Sequence, residues 1–110
     1  MLPAPPNAAF KALGDETRRE ILKMLRNGAR TSGEIAEQFH SSWPTISRHL
    51  AILRDAGLVI TERKGQEIYY ELNSSVFQDL VQHLMTWVHP APRDRAKGPL
   101  RKRSSRPQEG

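Results

Sequence analysis

Apolar residues recur at helical spacing through the first half of the chain and at strand spacing just past its middle. Ala9, Phe10 and Leu13 predict a short first helix, capped by Asn7 and broken by Gly14. Ile21, Leu22 and Leu25, with Met24 at the edge, predict a second helix. It opens at Asp15, with Thr17 as a rival cap, and stops at Asn27-Gly28. Thr31-x-x-Glu34 is a capping box that opens a third helix, whose buried face is Ile35, Ala36 and Phe39 and which ends near His40. After a turn at Ser41 and Ser42 comes a fourth helix, capped by Ser42 and running to about Ala56, with Gly57 as its stop. Pro44 is tolerated there because the first turn of a helix leaves its N–H groups without helical partners.

The period then changes to two. Residues 58–63 and 67–72 are rich in branched and aromatic side chains, and Lys64-Gly65-Gln66 lies between them, which predicts a hairpin. Asn73 or Ser74 caps a last helix that reaches about Val88 and ends at His89-Pro90. The predicted fold is mainly α with a β-hairpin, in the order α-α-α-α-β-β-α. A short helix joined by a tight turn to an amphipathic helix is a helix-turn-helix, and the hairpin makes it winged. The expected organisation is a disordered N-terminus at 1–6, one domain at 7–88 and a basic disordered tail at 89–110.

The fourth helix divides into two faces. Ile46, Leu50 and Leu53 recur at i, i+4 and i+7, while Thr45, Ser47, Arg48 and His49 are polar. Short hydrogen-bonding side chains beside an arginine suit the major groove of DNA. Any amphipathic helix shares the pattern; the turn before it and the hairpin after it set this one apart. The hairpin tip carries Arg63, Lys64 and Gln66, placed to reach phosphates or the minor groove. The last helix holds two apolar stripes, Phe77-Val81-Leu84-Val88 with Met85 beside it, and Val76-Leu80-Trp87. One stripe closes a small core, so the second predicts a homodimer interface, joined by Phe10 and Leu13. A two-fold dimer sets two recognition helices about 34 Å apart, one turn of DNA.

Charge and composition narrow the function. The chain has 110 residues, a net charge of +5 and no cysteine. Seven of its 17 Lys and Arg and two of its 12 Asp and Glu lie beyond Val88, which leaves ten of each sign in 1–88. The basic excess therefore belongs to the tail, which either adds non-specific DNA affinity or only solubilises. The lack of cysteine excludes disulfides, thiolate nucleophiles and thiolate metal ligands, and fits a reducing cytoplasm. No apolar run approaches the ~20 residues that span a bilayer, and residues 1–6 lack the regions of a signal peptide. No phosphate-cradling glycine loop, serine–histidine–aspartate arrangement or facing carboxylate pair points to an enzyme.

Four stretches together resemble the ArsR/SmtB family of bacterial winged-helix repressors: residues 10–22, 34–36, 43–59 and 63–70. Within it the chain is most similar to the metal-independent autorepressors of the SdpR type. The resemblance implies a dimeric repressor of double-stranded DNA, bound to an inverted-repeat operator, often in its own promoter. Ser41, Ser42, Pro44, Thr45, Ser47, Arg48 and His49 would be the reading segment and Arg63, Lys64 and Gln66 the wing. Trp43 would touch thymine methyls or a sugar, or else pack within the fold. Arg18 or Arg19 would reach a phosphate, with an ion pair to a nearby carboxylate as the structural alternative.

The departure from the family concerns sensing. One branch carries Cys-x-Cys on the third helix, where this chain reads Glu34-Ile35-Ala36-Glu37. Another builds a zinc site from Asp and His on the last helix. Here Asp79 and His83, with His89, supply two or three ligands where zinc prefers four. The expectation is no metal, no cofactor and no recognisable inducer site. The rival reading is a winged-helix module for protein–protein contact with only non-specific DNA affinity.

Overall fold

A computed structural model describes residues 6–88, so the expectations for 1–5 and for the tail at 89–110 lie outside the described residues. The elements are α1 (Pro6–Ala12), α2 (Glu16–Leu25), β1 (Arg30–Thr31), α3 (Ser32–Ala36), α4 (Trp43–Asp55), β2 (Val59–Lys64), β3 (Glu67–Leu72) and α5 (Ser74–Val88). They fall into two units, Met1–Leu80 and Val81–Gly110. The fold is a winged helix-turn-helix with one addition. The two-residue strand β1 pairs antiparallel with β3, giving a three-stranded sheet in the order β1-β3-β2. Two residues are too few to show an alternation, so β1 leaves no trace in the hydrophobic pattern.

Local capping places the helix-turn-helix. Asp15 accepts a hydrogen bond from the Arg18 amide at 3.1 Å and starts α2. Thr31 Oγ1 accepts from the Glu34 amide at 3.1 Å, and Glu34 Oε1 accepts from the Thr31 amide at 2.9 Å. Thr31 also sits opposite Tyr69 in the sheet, so the residue that caps α3 ties it to the wing. The helix itself stops at Ala36, short of the expected His40, and Gln38 and Phe39 continue as tight turns onto the carbonyls of Ile35 and Ala36. Helix α4 ends in a Schellman motif: Gly57, at φ +82°, donates to Arg54 and Leu58 to Leu53, both at 3.0 Å. The Asn73 amide donates to the Leu58 carbonyl at 3.0 Å and closes the base of the hairpin.

The core lies where α2, α3 and α4 meet the sheet. Ile21, Ile35, Ile46, Leu50, Leu53 and Leu58 are almost fully buried, and Leu22, Leu25, Val59, Tyr70 and Leu80 join them with Ala9, Ala12 and Ala56. Each such side chain contributes about 1.5–3 kcal/mol by leaving water. Three of the six most buried belong to α4, which seats the helix firmly and commits its remaining face to solvent.

Helix α5 corrects the two-stripe expectation. Leu80 is only 5% exposed within a single chain, and Val76 and Phe77 pack on the same core. Leu80 and Val76 therefore offer little surface to a second copy. Phe10 and Leu13 are likewise half-buried against the core. In the second unit Val81, Leu84, Met85 and Val88 are exposed at i, i+3, i+4 and i+7, with Trp87 67% exposed beside them. The apolar residues divide along the helix axis, not around it.

Candidate nucleic-acid interface

The outward side of α4 starts at its cap. Ser42 Oγ accepts from the Thr45 amide at 3.4 Å and lies 3.0 Å from Thr45 Oγ1, so the two hydroxyls are fixed relative to each other. The first turn holds no acidic residue to offset the positive end of the helix dipole. Ser41, Ser42, Pro44, Thr45, Ser47 and Arg48 are all exposed. Trp43 is 51% exposed, so its ring is not a core element. The Arg48 side chain makes no hydrogen bond or ion pair to any described residue.

His49 departs from the expected outward face. Its side chain is only 15% exposed, with Nδ1 3.2 Å from Arg18 Nη1 and Nε2 3.8 Å from Asp15 Oδ2. The position had a legible signal: His49 stands three residues after Ile46 and four before Leu53, which sets it beside the buried stripe, while Arg48 lies opposite. Its partner Arg18 is 31 residues away and had none.

Neither Arg18 nor Arg19 forms an ion pair within 4 Å of a described carboxylate; both guanidiniums turn to backbone carbonyls. Arg18 Nε donates to the Ala12 carbonyl at 2.6 Å and Nη2 to that of Lys11 at 3.4 Å. Arg19 Nη1 donates to the Leu13 carbonyl at 2.7 Å. These carbonyls lie at or just past the C-terminal end of α1, and that of Lys11 also accepts from the Gly14 amide at 3.0 Å. The Asp15 carboxyl beside them is held below its ordinary 3.8, first by the bond from the Arg18 amide. Burial opposes that shift, and the neighbouring Arg18 guanidinium and His49 ring reinforce it.

The wing has two unlike faces. Cross-strand pairing sets Val59, Thr61 and Arg63 opposite Leu72, Tyr70 and Ile68, and this face carries the core residues Val59 and Tyr70. The other face pairs Ile60 with Glu71, Glu62 with Tyr69 and Lys64 with Glu67. Lys64 does not extend freely from the tip: its ammonium lies 5.2 Å from the Tyr69 ring centre, on the face that also carries the exposed Glu62, Glu67 and Glu71. Arg63, on the core side, and Gln66 are exposed near the turn, where Gly65 adopts φ +63°.

Among the described residues no group of three or more His, Cys, Asp or Glu is arranged to hold a metal ion. His83 sits edge-on to Trp87, with ring centres 5.9 Å apart. His89 lies outside the described residues.

A buried-anchored helix with an exposed polar N-terminal face, preceded by a short capped helix and followed by a hairpin, defines a winged helix-turn-helix protein. Residues 15–61 match the family described as bacterial regulatory protein, arsR family. The chain is 46% identical over 88 residues to the transcriptional repressor SdpR of Bacillus subtilis, covering 80% of this chain and 98% of that one. It is 38% identical over 75 residues to the arsenical resistance operon repressor of Staphylococcus aureus, covering 68% and 72%. The ArsR-like transcriptional regulator from Rhodococcus sp. RHA1 superposes with a TM-score of 0.72 at 29% identity, over 84% of this chain and 87% of that one. This chain belongs to the ArsR family of bacterial transcriptional regulators. It is a DNA-binding regulator and not an enzyme. Among the described residues no helix is long and apolar enough to cross a membrane.

Proposed function

We propose that the chain is a dimeric repressor that reads an inverted-repeat operator in its own promoter, in the cytoplasm and without metal sensing. The observation that carries this reading is the division of α4. Ile46, Leu50 and Leu53 are buried, while the cap, Trp43, Ser47 and Arg48 face outward from a positive helix end. Residues 42–56 enter the major groove, and the wing at 58–72 follows the backbone with Arg63 and Gln66. The exposed Val81-Leu84-Met85-Val88 face, with Trp87, supports pairing with a second copy. The likeness to a transcriptional repressor, over 80% of this chain and 98% of that one, supports the sign of regulation. Metal independence rests on the absence of cysteine and on the shortage of ligands around Asp79 and His83.

The test is fluorescence anisotropy with the DNA upstream of its own coding sequence and with a scrambled duplex, at two salt concentrations, in EDTA and then in zinc. Selective binding that ignores zinc is the expected result. Release by zinc overturns the metal-independent part of the proposal. A second reading, a protein-contact module with only non-specific DNA affinity, draws on the outer wing face, where Ile60 is 47% exposed among Glu62, Glu67 and Glu71. That reading predicts equal, salt-sensitive binding to both duplexes.

A further inference from the structure

We infer that His49 is a positioning residue for DNA reading: it docks the middle of α4 on the α1–α2 junction and sets the rotation at which Ser47 and Arg48 are presented. The inference rests on the proposed reading of DNA by α4.

The chemistry of the contact assigns the roles of both ring nitrogens. A guanidinium has only donors, so the Nδ1 that faces Arg18 Nη1 at 3.2 Å accepts. The ring proton then sits on Nε2, directed at Asp15 Oδ2 3.8 Å away. With both nitrogens facing protein groups and the side chain 15% exposed, His49 has little left to offer a base edge.

Arg18 is the hub. Its Nε and Nη2 hold the Ala12 and Lys11 carbonyls, its amide holds Asp15, and its Nη1 holds His49. One side chain thereby joins the end of α1, the start of α2 and the middle of α4. The three buried anchors of α4 do a different job. Apolar contacts are non-directional, so they set how deep the helix sits and restrain its rotation weakly. Hydrogen bonds depend on angle, and this one lies one residue beyond Arg48. A small rotation about the axis displaces the tip of a long arginine far more than it disturbs Leu50. A bidentate contact to a base tolerates little of that displacement.

Three variants of the full chain test the inference: His49→Leu, which keeps bulk and removes the acceptor; His49→Asn, which keeps an acceptor near the Nδ1 position; and Arg18→Lys. Each is titrated with the upstream and scrambled duplexes, followed by thermal unfolding and by amide hydrogen exchange across α4. His49→Leu should lose about tenfold on the upstream duplex with little change on the scrambled one, and His49→Asn should regain most of it. Arg18→Lys should lose as much, and the double variant no more than either single one, because the two act as one unit. Additive losses, or equal losses on both duplexes, overturn the inference in favour of direct contact with DNA. A fall in melting temperature with selectivity intact overturns it in favour of a purely structural histidine. If the unaltered chain itself shows no preference for the upstream duplex, the repressor reading fails, and exchange alone decides the contact. Faster exchange in α4 of His49→Leu, restored in His49→Asn, supports the docking role, and unchanged exchange refutes it.

Discussion

Arg48→Ala separates reading of bases from attraction to phosphates. The side chain is exposed and bonds to no described residue, and alanine favours a helix at least as well as arginine. Stability should therefore change by no more than about 0.5 kcal/mol. If Arg48 forks onto a guanine, its loss costs ~1–3 kcal/mol per half-site, or about five- to 150-fold in affinity. Two half-sites in a dimer double the free energy. The assay is anisotropy with the upstream duplex and with versions changed at single base pairs, over a series of salt concentrations. Base reading predicts a loss on the upstream duplex, a flattened preference at one position and an unchanged salt slope. A phosphate contact predicts equal loss on every duplex and a slope shallower by about 0.9 per arginine. A change below about twofold on the upstream duplex, with the melting temperature preserved, refutes the placement of Arg48 at the reading face.

Acid stability should depend on Asp15. Its carboxyl is held below the ordinary 3.8 in the folded chain, so its contribution is full above that value and fades as pH falls through the folded one. Asparagine also caps helices, so Asp15→Asn should show a smaller drop in urea midpoint between pH 6 and pH 3 than the unaltered chain; identical drops refute the assignment. In the wing, Arg63→Ala should lower the salt slope of DNA binding, whereas Lys64→Ala, which gives up only the Tyr69 contact, should leave it unchanged. Equal effects of the two would remove the distinction between the wing faces. In α5, Leu80→Ala should cost about 2–4 kcal/mol in urea unfolding. Leu84→Glu should leave the unfolding of a single chain nearly intact and weaken self-association in sedimentation, and a dimer untouched by it would place the interface elsewhere.

The sequence by itself determined the local structure. The caps at Asp15, Thr31 and Ser42, the stop at Gly57 and the buried triad of α4 each depend on residues within about four positions of one another. They were therefore legible as spacing, and with them came the winged helix-turn-helix and the two-faced helix α4. Tertiary structure decided whatever turned on a distant partner. Strand β1 exists only because Arg30 and Thr31 meet Tyr70 and Tyr69, which lie 40 and 38 positions further along the chain. Lys64 and Arg63 are equivalent cations in sequence, and only strand register sends one to the Tyr69 ring and leaves the other on the core side. The apolar residues of α5 permit several divisions, and packing buried Val76, Phe77 and Leu80 while leaving Val81 and Leu84 exposed. His49 bears the periodicity of a residue at the margin of the buried stripe, yet its role awaited Arg18 from another helix. Backbone bonds and caps act over a few residues, whereas the direction of a polar side chain is set by whichever group the folded chain brings beside it.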